Sequence, residues 1–233
     1  MLPLILCLLA SVSTATEDHA PPPGAVEERP PDADASPLQH RVDAAPSGAT
    51  VVVKAGDYEG DLVLDRPLTL VGRGRPRLLG SGHGSVVRVR GAGVTIEGFD
   101  VDGRGGGDLG RDSSGIHVSA PRVVIRDCRI SNAIFGIYLR EAPGAVVEHC
   151  RVRGIPGKDP GEKGSGLHVW NTQGFRLAEN EILDVRDGFY VQSSSHGTIA
   201  GNVARDLRYG LHYMFSDDNV FEDNLFELSL IHI

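Results

Sequence analysis

The phrase Ser-Gly-Leu-His-Val at 165–169 recurs along the chain as SGIHV (114–118), FGIYL (135–139), DGFYV (187–191) and YGLHY (209–213). Its glycines, Gly115, Gly136, Gly166, Gly188 and Gly210, are 21, 30, 22 and 22 residues apart. A second landmark follows each phrase and ends at Cys128, Cys150, Asn180, Asn202 and Asn224, with gaps of 22, 30, 22 and 22. The two landmarks keep step, and the one long interval swells both alike. A period of this size with constant phase identifies a solenoid, in which each repeat stacks on its neighbour.

The repeat reads as β. Its apolar residues alternate: Ile116 and Val118, Ile137 and Leu139, Leu167 and Val169, Phe189 and Val191, Leu211 and Tyr213. A period of two places them on one face of a strand. The second landmark alternates too, as in Val123 and Ile125 or in Val146, and no apolar run at helical spacing lies between Thr50 and Phe226. Each unit then forms one rung of an all-β parallel β-helix of about 22 residues per rung, with rungs about 4.7–4.9 Å apart and equivalent residues in columns. The 30 glycines suit tight corners. A net charge of −8 argues against nucleic acid as the main partner.

The ends differ from the middle. Residues 1–15 read as an export signal, with the apolar stretch Leu2 to Ala10 and the small residues Ser13-Thr14-Ala15, too short to span a bilayer. Residues 16–38, rich in Pro, Ala, Asp and Glu, read as a disordered linker. The coil is expected over 39–226, with Val42–Lys54 as an entry segment leading into the strand Thr50–Lys54. Residues 227–233 break the repeat without a polar cap, so the chain reads as truncated at its C-terminus. No other segment reads as membrane-spanning.

Cys128 and Cys150 occupy one ladder position on adjacent rungs, continued by Asn180, Asn202 and Asn224. Their spacing permits a disulfide. Parallel in-register side chains favour two free, stacked small hydrophobes instead, and stacked asparagines bond each other's amides. Two longer connections, 103–113 and 155–164, are expected to protrude as loops.

Between the inward residues of each phrase stands one outward residue: His117, Tyr138, His168, Tyr190 and His212. Three readings of this outer face remain open. Aromatic rings along a ladder stabilise a sheet without further function. A long face of rings and polar groups also suits a sugar chain, as in a lyase, a C5-epimerase or a glycan-binding module. Against catalysis, the outward acids Glu141, Asp217 and Asp218 form no pair in register, and hydrolysis needs two carboxylates about one bond. Finally, imidazole and thioether are copper ligands. His117, His168 and His212 stand two rungs apart, too far for one ion, whereas His212 and Met214 share a face of one strand and could meet a single ion in a weak, exchangeable site.

The run YGLHYMFSDDN (209–219), preceded by DGFYVQSSSHGTIAGN (187–202) and SGLHVWNTQGFRLAEN (165–180), resembles the NosD family, the periplasmic maturation proteins of nitrous oxide reductase. The opening VDAAPSGATVVVKAGDYEGDLVLDRPLTLVGRG (42–74) is similar to that family's first rungs. The resemblance implies a right-handed β-helix with a non-enzymatic role in the periplasm. It also implies copper as a transient cargo. The implied partners are an ABC transporter of permease and ATPase, a copper chaperone and nitrous oxide reductase itself. His212, Tyr213 and Met214 fall in the matching motif; Cys128 and Cys150 do not.

Overall fold

A computed structural model describes residues 38–227. The expected signal (1–15), the linker up to residue 37 and the tail after Glu227 lie outside the described residues. Alternating apolar and polar residues build three parallel sheets along one axis. The first has eight strands, from Thr50–Lys54 to Val220–Glu222. The second has eight, from Asp57–Glu59 to Leu225–Glu227, and the third has seven, from Leu62–Leu64 to Tyr209–Met214. Each strand pairs with its equivalent one turn away, so a full turn visits all three sheets.

In-register pairing stacks like on like. Leu70, Ile96, Ile125, Val147, Leu177 and Ile199 form one column through the first sheet, and all are fully buried. Burying each such side chain contributes about 1.5–3 kcal/mol. The column ends at Phe221, which is exposed with Val220 and Leu225 on the last described turn. Two expected inward residues differ: Val146 is only half-buried, its neighbours Ala145 and Val147 filling the core, and Tyr213 is exposed on the last described turn.

The entry segment ahead of the strand Thr50–Lys54 begins in a helix. Leu38–Ala44 forms a helix, α1, because Leu38 and Val42 are one helical turn apart and both bury against the first rung. Leu38, expected in the linker, is therefore part of the folded unit. The Gln39 amide donates to the Val63 carbonyl at 3.0 Å and accepts the Val63 N–H at 2.8 Å. It thus occupies backbone groups on the open edge of the third sheet, where another chain could otherwise pair.

The glycine column is steric. A Cβ on Gly115, Gly136, Gly166 or Gly188 would lie 2.9, 2.4, 2.9 and 2.8 Å from the carbonyl oxygen of the next glycine in the column. Rungs approach here as only glycine allows. At the corner between the first and second sheets, Asp127, His149, Glu179 and Asp223 take left-handed backbone angles, and each precedes a Cys or Asn of the second landmark. Asn180 and Asn202 bond each other there and are buried.

The protruding segments fall at one place. Three turns pass from the second sheet to the third in three residues (132–134, 184–186, 206–208), whereas two use the longest connections, 103–113 and 154–164. Both contain a short 3-10 turn, Leu109–Arg111 and Pro160–Glu162, started by an Asp side chain that accepts a backbone N–H. The second loop is pinned by buried Lys163, which pairs with Asp184 of the next turn.

Candidate functional site

Each late strand of the third sheet reads x-Gly-apolar-ring-apolar, which turns the ring outward. Register places Arg88 beside His117, then His117, Tyr138, His168, Tyr190 and His212 in succession. The rings form one continuous stack, with centroid separations of 5.0, 4.3, 4.5 and 4.5 Å. Ring pairs at such distances contribute about 0.5–1.5 kcal/mol beyond simple burial.

This face is drier than an exposed strand. Phe135 packs on its flank, 5.7 Å from the Tyr138 ring and edge-on to His168 at 5.3 Å, and Tyr138 is 6% exposed. Burial pushes the Tyr138 hydroxyl up to about 12, with the Asp112 carboxylate adding to the effect. Burial also holds His117 below the ordinary imidazole range and His168 at about 3, with Arg186 adding to the latter. The middle of the stack is therefore neutral near pH 7. The His168 Nδ1 and the Ser165 hydroxyl are buried without hydrogen-bond partners.

A pH dependence follows. The unfolded chain protonates its histidines near 6.5, whereas folded His168 resists down to about 3. Stability is thus fully present above 6.5 and falls as pH drops through the interval between 6.5 and about 3. Urea unfolding at about pH 7 and about pH 5 should show a loss of roughly 1–2 kcal/mol attributable to His168. His168→Phe, which keeps a ring between Tyr138 and Tyr190, should lose that part of the slope. An unchanged slope would mean that His168 ionises in the folded protein.

The stack ends chemically at His212. Its Nδ1 faces Asp187 Oδ2 at 3.7 Å without a hydrogen bond, and its side chain is 31% exposed. Asp187 is fully buried and held by Arg186 Nε at 3.1 Å and by both Nη2 (3.0 Å) and Nε (3.2 Å) of Arg208. Arg208 in turn lies over the Tyr209 ring at 4.6 Å. A carboxylate facing one imidazole nitrogen leaves the other, Nε2, to act as ligand. Met214, two residues further, sits beside Tyr190, whose hydroxyl lies 3.2 Å from the sulfur and 3.3 Å from Gln192 Oε1. With two acceptors in reach, the hydroxyl can leave the sulfur free for an ion.

Among the described residues, no group of three or more His, Cys, Asp or Glu side chains converges on a metal position. His212 and Met214 stand two residues apart on one face of the strand Tyr209–Met214. Carboxylates do not pair on the face among the described residues. Asp112, at the His117 end, pairs with Arg140 at 3.5 Å, and Asp187 sits at the His212 end. Asp112 precedes the strand Ser114–Val118 and Asp187 opens the strand Asp187–Gln192, three rungs on and roughly 14 Å at the usual rung spacing, beyond the separation that glycoside hydrolysis uses. Sequence reasoning missed Asp187, Arg186, Arg208 and Phe135. The available signal was the first residue of each phrase, since Ser114, Phe135, Ser165, Asp187 and Tyr209 share one register position at the edge of this face.

Comparison with known proteins agrees with this architecture. Residues 153–230 match the family described as periplasmic copper-binding protein (NosD). Over 136 residues the chain is 32% identical to the "Probable ABC transporter binding protein NosD" of Pseudomonas aeruginosa and 28% identical to the protein so named in Stutzerimonas stutzeri. The match covers 58% of this chain but only about a third of each relative (32% and 31%). Among solved structures, the polygalacturonase of Erwinia carotovora ssp. carotovora superposes with a TM-score of 0.66 at 13% identity, covering 88% of this chain and 73% of that one. This likeness shows the fold, a right-handed parallel β-helix.

Proposed function

We propose that this chain, NosD-like over residues 153–230, is a periplasmic accessory protein that positions copper for the assembly of nitrous oxide reductase beside an ABC transporter. The carrying observation is the end of the ring stack. There His212, aimed by buried Asp187, and Met214, beside Tyr190, present nitrogen and thioether donors on one strand within the matched segment. Reduced copper is the cargo this donor pair suits, because thioether sulfur favours the softer ion. Two donors bind weakly, and a carrier must release what it carries. The role is binding rather than bond-breaking, a reading supported by the names of the relatives. A copper chaperone and the reductase would be the other partners.

The test is a Cu(I) titration of wild type and of a His212→Ala/Met214→Ala variant, read by the His212 imidazole resonances in NMR. Wild type should show a saturable shift of those signals, and the variant should lose one ion per chain. Equal uptake by both proteins, with an undisturbed His212, would overturn the site. A sugar-directed reading rests on the fold alone; release of unsaturated products from a uronic-acid polymer would favour it instead.

A further inference from the structure

A second pair of soft donors lies away from the ring stack, at the corner between the first and second sheets. Cys128 and Cys150 stand on consecutive turns, bracketed by the in-register pairs Arg126–Glu148 and Arg129–Arg151. Both thiols are free, at 1% and 2% exposure. Each sulfur also lies 3.3 Å from a carbonyl two residues back, Arg126 O and Glu148 O. Outside them opens a polar cleft of about 380 Å³ that both cysteines line, with Arg75, Arg129, His149 and Arg151 around it. The next turns carry asparagine at this position, and the Cys150 N–H donates to Asn180 Oδ1 at 3.0 Å.

We propose that Cys128 and Cys150 clamp a single soft monovalent cation, Cu(I) or Ag(I), between their sulfurs. The spacing selects this ligand. Parallel side chains on adjacent turns stand about 4.7–4.9 Å apart, while two metal–thiolate bonds end to end, each about 2.3 Å for zinc, span about 4.6 Å. A disulfide needs Cβ atoms about 3.5–4.5 Å apart, which parallel side chains at the turn spacing do not offer. Coordination number argues the same way. A structural divalent zinc site takes four ligands, and no third His, Cys, Asp or Glu joins the pair among the described residues. Soft thiolates favour reduced copper.

Binding is a simple exchange. Both thiol protons leave to solvent, two sulfur–metal bonds form, and no atom changes oxidation state. The bound site carries one net negative charge, with the Arg75 guanidinium near enough to favour a thiolate at Cys128. The neighbouring Cys150, more than any other group, lowers the Cys128 thiol from its ordinary range, while Cys128 and burial raise Cys150. The site stands apart from His212 and Met214 and does not depend on the role proposed for them.

The test uses the reduced full chain carrying Cys7→Ser and His212→Ala/Met214→Ala, with and without Cys128→Asn/Cys150→Asn. The asparagine pair installs the amide that the same column already carries at 180, 202 and 224, so the coil should be kept; circular dichroism checks this. Ag(I) and Cu(I) are added to each protein. The parent should take up one ion per chain, lose both thiols to a thiol reagent, gain thiolate-to-copper charge-transfer absorbance and show two sulfur neighbours at the copper absorption edge. The asparagine variant should show none of these. Equal uptake by the two proteins overturns the proposal. So does a copper edge without sulfur neighbours in the parent, a measurement that stands even if the variant does not fold. Conversion of the pair to a disulfide in place of metal uptake, seen as a mass lower by two hydrogens, overturns it as well.

Discussion

Asn202→Ala should lower stability by about 3 kcal/mol or more, because it strands several polar groups at once. Asn202 is fully buried. Its Oδ1 accepts the Asn180 backbone N–H at 2.9 Å and the Asn180 side-chain amide at 3.0 Å. Its Nδ2 donates to Leu177 O and to Asn224 Oδ1, both at 2.9 Å. Each buried group left without a partner costs about 1–3 kcal/mol, and alanine supplies no replacement. Asn224→Ala is the control. That residue makes related bonds at the half-exposed end of the column, where water reaches the stranded groups, so its loss should be clearly smaller. Urea unfolding of both variants decides the matter. Equal losses, or a loss below about 1 kcal/mol at Asn202, would show that the amide column does not hold the corner.

Gly136→Ala should be nearly as damaging for a different reason. The new methyl would lie 2.4 Å from Gly166 O and 2.4 Å from Val152 Cγ1. The first obstacle is backbone paired into the next turn, so relief requires prising two rungs apart. Overpacking of this kind costs about 1–3 kcal/mol, and the rigid partner places it at the upper end. Gly157→Ala isolates the steric part. Gly157 has φ +72 and nothing within 4 Å of an added Cβ. It should therefore lose only the conformational freedom of glycine, roughly 1 kcal/mol. Thermal melts of the two variants should separate widely. A Gly136→Ala protein that melts like Gly157→Ala would mean that the glycine column is tolerance and not necessity.

The coil was legible in the sequence because two landmarks, one apolar and one polar, repeat in the same phase. Gly115 to Gly210 and Cys128 to Asn224 predict a register that the strand pairing reproduces residue by residue. The ring column was legible for the same reason, since a period of two fixes which side chains share a face. What escaped has local causes. The short strands Asp57–Glu59 and Arg77–Leu79 each bury a single residue, Tyr58 and Leu78, too little alternation to register as a pattern. Helix α1 rests on Leu38 and Val42 alone. Asp187 stood in the sequence only as the first residue of DGFYV, and its contact with His212 and two arginines depends on side chains reaching across turns. The dryness of the ring stack was hidden similarly, because Phe135 occupies a position that holds serine in two other strands.

The two long connections, 103–113 and 154–164, replace the same three-residue corner, and both emerge directly ahead of strands that carry His117 and His168. Extra length there leaves the hydrogen-bond ladders of all three sheets undisturbed, since each turn returns to its column afterwards. Related chains can therefore vary what borders the rings while keeping the rings themselves aligned. The scaffold separates a constant track from adjustable kerbs, and changes in partner preference have a natural place to accumulate along its margin.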